Sequence, residues 1–322
     1  MSLDYIIFGG SGFIGTHFSN YLEDIGSNFL IADLVEPIKK KLSFEVSDVR
    51  EHISLDAENN SETIIINLAA VHKTPGHPNE DYFETNIKGA ENVCDFARKK
   101  RINTIVFTSS IAVYGTYEDR KSEETLPMPD IPYGISKLSA EYIHKKWQAE
   151  DPLKRRLIIL RPGVVFGMHE KANFTRLINS LKRNYFAYVG RKDTKKACIY
   201  VKDLAQAIYE FSIDKSINID TFNVSYNPSL SIQDIVSSVS ETGNMRCSRF
   251  VVPRWLIIFL SSILYYIFRK KDFNPQRMRK LIISNDIDSE KINNKIKFNF
   301  GFSKGISDWM SETEFLRENK IY

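Results

Sequence analysis

The chain has 322 residues, 43% hydrophobic and 26% charged, with a formal net charge of +4. That balance suits one large globular domain or two unequal ones and excludes a disordered or fibrous chain. No basic block is interleaved with aromatic residues, so no nucleic-acid partner is expected.

Cys94, Cys198 and Cys247 are odd in number, far apart and without metal-ligand spacing, which predicts a reducing compartment, no metal site and no disulfide framework. The opening "MSLDYIIFGG" has no basic n-region or cleavage site, so a cytoplasmic location is expected.

In chain order, the segments 4–8, 29–33, 43–46, 63–68, 104–109 and 156–161 are short, rich in β-branched residues and mostly without polar alternation. Such strands are buried on both faces, which predicts a parallel sheet covered by helices. Helical patterns over 13–25, 80–100 and 134–150 separate them. The order predicts a doubly wound α/β fold of the Rossmann type.

Beyond Pro162 the pattern is less regular, with helices expected at 173–184 and 201–211 and a strand at 220–225. Ser231 and Asp234 form a weakened capping box before another helix. A dinucleotide-binding domain over residues 1–165 is therefore expected, with a smaller substrate-binding lobe over 166–322 and a return to the first domain near 200–213.

"WLIIFLSSILYYIF", Trp255 to Phe268, is flanked by Arg254 on one side and Arg269, Lys270 and Lys271 on the other. It falls short of the roughly 20 apolar residues of a spanning helix. The expectation is a helix buried in the second lobe or lying on an anionic membrane surface through residues 254–271.

"FGGSGFIG" follows the first strand and opens the first helix. Gly9, Gly12 and Gly15 allow a tight turn and close backbone approach to a pyrophosphate. The N–H groups of Phe13 and Ile14 then point at the phosphates from the helix N-terminus. Asp33 ends the second strand, where a carboxylate accepts both adenosine ribose hydroxyls and repels a 2′-phosphate, so NAD is expected rather than NADP. Asp48 and Val49, in "SDV", are expected against the adenine.

Tyr133 and Lys137, in "YGISK", lie one helical turn apart at the start of a helix, on one face. A cation so close favours the phenolate, which would make Tyr133 a general base near neutral pH.

In their order and spacing, "GGSGFIG", Asp33, "SDV", "NLAAVHKT", "FETNIKGAENV", "FTSSIAVYG", "YGISK" and "LRPGVVFG" resemble the extended short-chain dehydrogenase/reductases, in particular the NAD-dependent sugar epimerases and dehydratases. The resemblance runs from residue 4 to about residue 205. It implies Tyr133 as the base, with Lys137 lowering its pKa and holding the nicotinamide ribose, and Ser110 as the hydroxyl completing the triad. Leu68, Ala69 and Ala70 match the segment where the backbone approaches the cofactor. Asn86 matches an asparagine near its ribose and phosphates, and His72 stands where relatives place polar cofactor or substrate contacts.

The implied chemistry is hydride transfer from a ring carbon to nicotinamide while tyrosinate takes the hydroxyl proton. Dehydratases of the family carry an Asp-Glu pair where this chain has Ile111 and Ala112, so dehydration is not expected. Reductases usually prefer NADPH, against which Asp33 argues. A 4-epimerase of a diphosphate-linked hexose or N-acetylhexosamine, serving surface polysaccharide precursors, is the first expectation. A keto-sugar reductase and a sterol-type dehydrogenase are the alternatives, and a non-catalytic NAD-binding scaffold would be expected to lose triad residues that are all present.

The chain departs from soluble nucleotide-sugar epimerases in two places. Gly163, Val164 and Val165 replace a substrate-binding asparagine, and Lys196 and Tyr200 stand where an arginine and a histidine are expected. Arg191 and Lys196, in the polar stretch 189–197, are the candidates for the sugar diphosphate. These departures, beside the run 255–268, resemble membrane-associated relatives acting on polyprenyl-diphosphate-linked sugars. The resemblance also implies a possible homodimer.

Overall fold

The computed structural model describes residues 3–56, 62–73, 76–247, 250–253, 255–256 and 282–318. Most of the apolar run, residues 257–268, lies outside the described residues. Among the described residues no helix is long and apolar enough to cross a membrane.

Six strands appear where apolar runs predict them: β1 (Tyr5–Phe8), β2 (Phe29–Asp33), β3 (Phe44–Val46), β4 (Ile64–Asn67), β5 (Thr104–Thr108) and β6 (Arg156–Pro162). Short pairs follow: β7 (Val164–Phe166) lies parallel to β10 (Cys198–Tyr200), and β8 (Tyr188–Val189) and β9 (Lys195–Lys196) pair elsewhere. β11 (Ile219–Val224) returns to the main sheet, whose order is β11-β6-β5-β4-β1-β2-β3, parallel throughout. The sequence places this last strand in the second lobe; in the structure it is the outer edge of the central sheet. Its pattern announces a strand but not its partner, β6, which lies some sixty residues earlier in the chain.

Both faces of the sheet are covered, and alternate residues of one strand serve opposite sides. Tyr5 and Ile7 pack with Phe18 and Leu22 of α1 (Phe13–Asp24). Ile6 and Phe8 pack on the other side, against Val93 and Phe96. Burying each such side chain contributes about 1.5–3 kcal/mol.

The predicted helix over 80–100 is interrupted. α2 (Asn79–Phe83) passes into a π-helical turn, Glu84–Lys88, before α3 (Gly89–Lys100). α4 (Pro132–Ala149) starts with proline at its first position, where the missing N–H has no helical partner to lose.

α5 (Asn173–Lys182) is followed by α6 (Val201–Ile213), whose Leu204, Ile208 and Phe211 lie in the core beside α1. α7 (Ile232–Thr242) has a complete capping box: the Asp234 N–H donates to Ser231 Oγ and the Ser231 N–H to Asp234 Oδ2, both at 3.0 Å. α8 (Glu290–Asn293) and α9 (Gly301–Glu318) complete the described helices. A third apolar cluster joins Phe166, Phe174, Tyr188, Val236 and Trp309.

The order of the sheet reverses between β1 and β4. In doubly wound folds the ligand crevice lies beyond the carboxyl ends of the strands at this point. Gly9 and Leu68 follow β1 and β4, and Asp33 and Ser110 end or follow the adjoining β2 and β5.

Candidate active site

The glycine turn is built for backbone approach. Gly9 has φ +75°, and a Cβ there would stand 2.6 Å from the Ala69 nitrogen. Gly15 packs so tightly that a Cβ would meet Gly10 Cα at 2.5 Å. The first bond of α1 runs from the Thr16 N–H to the Gly12 carbonyl, so the N–H groups of Phe13, Ile14 and Gly15 have no helical partner. No side chain caps them.

Asp33 reaches across this turn. Its Oδ2 accepts the Ser11 N–H at 2.9 Å and its Oδ1 the Leu34 N–H at 2.7 Å. Both oxygens keep a lone pair for ribose hydroxyls. The cradle that a Cβ would fill, the uncapped helix and the anchored carboxylate together fit a dinucleotide.

Asp48 is held by Arg50. Its carboxylate accepts from Arg50, at 2.6 Å from Nη2, and the Arg50 side chain is the largest influence lowering its pKa. Val49 is buried and packs so closely on Gly89 that a Cβ there would lie 2.9 Å from Val49 Cγ2.

Asn86 is bonded within the protein. It sits buried in the π-helical turn, where its Nδ2 donates to the Val71 carbonyl at 3.1 Å and to Ser136 Oγ at 2.8 Å. Its Oδ1 accepts the Val71 N–H at 2.9 Å. Both amide hydrogens are thus committed inside the protein, and Asn86 acts as a strut between the segment after β4 and the first turn of α4. Ser136 extends the strut by donating to the Tyr133 carbonyl at 2.9 Å.

Ser110, Tyr133 and Lys137 are brought together. The Ser110 hydroxyl lies near enough to Tyr133 to favour its phenolate. Lys137 Nζ donates to the Thr108 carbonyl at 2.7 Å and lies 4.7 Å from the centre of the Phe107 ring. Burial dominates the electrostatics of Tyr133 and Lys137. Burial pushes the Tyr133 phenol up to about 12, the Ser110 hydroxyl opposes it, and Tyr82 adds to the rise. Burial likewise pushes the Lys137 ammonium down to about 7, with Glu141 opposing. Desolvation is the largest influence on both groups, and Ser110 favours the phenolate.

His72 lies in the segment after β4, close enough to Lys137 to feel its charge; desolvation first and Lys137 second lower its pKa. Arg191 and Lys196 converge on a segment that the sequence did not single out. Arg191 Nη2 donates to Ser284 Oγ and to Glu118 Oε2, each at 2.8 Å. Lys196 Nζ donates to the Ile283 carbonyl at 2.7 Å, and burial pulls it down to about 8. Tyr200 is a packing residue whose hydroxyl donates to Asp308 Oδ2 at 2.5 Å. Gly163 is explained by backbone: a Cβ would lie 2.6 Å from the Ala197 carbonyl oxygen.

Sequence reasoning missed a buried polar chain. Glu141, one turn beyond Lys137, is fully buried and takes a two-pronged bond from Arg161, at 2.8 and 2.6 Å. Arg161 Nη1 also donates to Tyr114 Oη at 2.8 Å. The available signals were a charge recurring at four-residue spacing after Tyr133 and Lys137, and an arginine inside the apolar strand "RLIILRP".

The NAD dependent epimerase/dehydratase family model matches residues 5–224. The chain belongs to this family. Among its relatives is the N-acetyl-alpha-D-glucosaminyl-diphospho-ditrans,octacis-undecaprenol 4-epimerase of Escherichia coli O157:H7, 28% identical over 301 residues, covering 91% of this chain and 89% of that protein. The decarboxylating sterol-4-alpha-carboxylate 3-dehydrogenase of Saccharomyces cerevisiae is 33% identical over 179 residues, half of this chain and 51% of its own length. MoeE5, solved in complex with UDP-glucose and NAD, shares the fold of this epimerase/dehydratase family member, with TM-score 0.74, 20% identity and coverage of 97% and 99% of the two chains.

Proposed function

We propose that the protein is an NAD-dependent 4-epimerase of a diphosphate-linked hexose or N-acetylhexosamine, and that the carrier is a polyprenyl diphosphate. The observation that carries the reaction is the grouping of Ser110 with Tyr133, with Lys137 anchored on Thr108, at the carboxyl edge of the sheet beside the glycine cradle.

Asp33 would hold the adenosine ribose, and the N–H groups of Phe13, Ile14 and Gly15 the pyrophosphate. NAD, when bound, supplies the acceptor that takes a hydride from carbon 4 and returns it. Tyr133, as phenolate, accepts the 4-hydroxyl proton as the ring carbon becomes a ketone, while Ser110 hydrogen-bonds the same oxygen. The proton stays on Tyr133 Oη until it is returned to that oxygen, after the keto sugar has presented its other face. No group outside the site is consumed, so the reaction conserves electrons and protons. The chain's part is orientation and electrostatics.

The lipid carrier is supported by the long match to an undecaprenol-linked relative, by the changed residues Gly163, Lys196 and Tyr200, and by the basic-flanked apolar run Trp255 to Phe268. The same reading includes peripheral contact with the inner membrane face through residues 254–271. It also includes a cofactor domain over 1–165, a substrate lobe over 166–322 from which α6 and β11 return to the cofactor domain, and, from family resemblance, a homodimer. A sterol-type dehydrogenase is the second reading, favoured by the match over half the chain.

The test is to incubate purified protein, without added cofactor, with polyprenyl-diphosphate-linked N-acetylglucosamine and separately with UDP-N-acetylglucosamine, followed by sugar analysis and mass spectrometry. Conversion of the lipid-linked sugar alone is expected. Conversion of the nucleotide sugar alone would move the carrier to UDP, and reaction of neither would overturn the epimerase reading.

A further inference from the structure

We propose that Tyr114 is a positioning residue that holds the turn carrying Ser110 in register with the helix carrying Tyr133, acting through Arg161, Glu141 and Asn223. The inference rests on the assignment of Tyr133 as the base and deepens it.

Ser110 opens a short 3-10 turn, Ile111–Tyr114, and its Oγ accepts the Ala112 N–H at 3.1 Å. Tyr114 closes the turn, and its side chain is anchored at both polar positions. The hydroxyl donates to Asn223 Oδ1 at 2.8 Å and accepts from Arg161 Nη1 at 2.8 Å. The Arg161 guanidinium also lies 5.0 Å from the centre of the Tyr114 ring. Its remaining donors grip Glu141, two helical turns beyond Tyr133 on α4. Asn223 in turn donates from Nδ2 to the Asp288 carbonyl at 3.0 Å, and its N–H donates to Glu123 Oε1 at 2.8 Å.

Tyr114, Arg161, Glu141 and Asn223 are all buried. A buried ion pair is a poor source of net stability, because desolvation offsets the attraction, and an apolar replacement is often neutral. Here the pair instead fixes a distance. It ties β6 and β11 to both the turn and the helix, so that Ser110 and Tyr133 are held from two sides. Among the described residues, the hydrogen bonds that join the turn to this chain run through the Tyr114 hydroxyl.

The Ser110 hydroxyl favours ionisation of Tyr133, so a displaced turn makes the base harder to ionise. The other ionisable groups around Tyr133 are Tyr82 from α2, with ring centres 6.4 Å apart, and Lys137 on its own helix, with His72 beyond Lys137. Tyr114→Phe alters none of them and removes little volume.

The experiment measures kcat and KM against pH for the wild type, Tyr114→Phe, Ser110→Ala and the double variant, with NAD content as the check on folding. Tyr114→Phe is expected to retain NAD and to move the acid limb of kcat upward by about one pH unit, a loss of roughly tenfold below that limb that recovers at alkaline pH. The double variant should be no worse than Ser110→Ala, because Tyr114 acts through Ser110. Equal losses at every pH, additive losses in the double variant, or no loss would overturn the inference while leaving the epimerase reading intact. An NAD-loaded wild type inactive on both sugars would overturn the base and this inference together.

Discussion

Gly134 touches Ala112. A Cβ on Gly134, the residue after the proposed base, would stand 2.4 Å from the Ala112 carbonyl oxygen, two residues after Ser110. The helix and the turn that carry the two hydroxyls are therefore in backbone contact. Gly134→Ala forces them apart by a fraction of an ångström or more. It is expected to cost about 1–3 kcal/mol of stability and to lower kcat at least about tenfold, since small misplacements of reacting groups are expensive. Thermal denaturation and steady-state kinetics check both, and an alanine variant with wild-type kcat would sink the claim.

Asp33→Ala removes the acceptor proposed for the ribose and also releases the Ser11 and Leu34 N–H groups. NAD affinity should fall by about 1–3 kcal/mol, the range for losing charge-assisted bonds. Cofactor retained through purification, measured after denaturing release, reports it directly.

Asn86→Asp keeps the acceptor for the Val71 N–H but loses both donors, leaving the Val71 carbonyl and Ser136 Oγ without them. A stability loss of roughly 2–4 kcal/mol is expected. If Asn86 is a strut, kcat should fall with little change in NAD affinity. A selective loss of NAD affinity would instead restore the direct cofactor contact implied by family resemblance.

The buried ammonium of Lys137 gives the cofactor-free protein a pH signature. Its folded pKa, about 7, lies below the ordinary lysine value, so the unfolded chain binds more protons between about pH 7 and 10. Stability should therefore rise with pH across that window, and Lys196, lowered to about 8, acts in the same direction. Lys137→Met removes part of the slope and should raise the melting temperature most at the low end. Scanning calorimetry at pH 7 and 9 tests this; equal slopes for variant and wild type would count against a buried charge at position 137.

The glycine turn, Asp33, the triad and six sheet strands were legible because each depends on a local run or spacing. The burial of Tyr133 and Lys137 was not, because a four-residue spacing says nothing about how deeply either is buried. The chain from Glu141 through Arg161 and Tyr114 to Asn223 was also hidden, since Tyr114 and Asn223 are 109 positions apart. Arg191 and Lys196 were legible as basic residues but not as partners of Ser284 and Ile283, which enter from beyond the apolar run.

The late arrival of β11 bears on synthesis. Until residue 224 has left the ribosome, β6 has no neighbour on its outer side and presents unpaired N–H and C=O groups together with Ile158 and Leu160. Such an edge templates pairing with another chain. A nascent chain truncated before β11, though it contains every residue of the triad, should aggregate rather than yield a minimal enzyme.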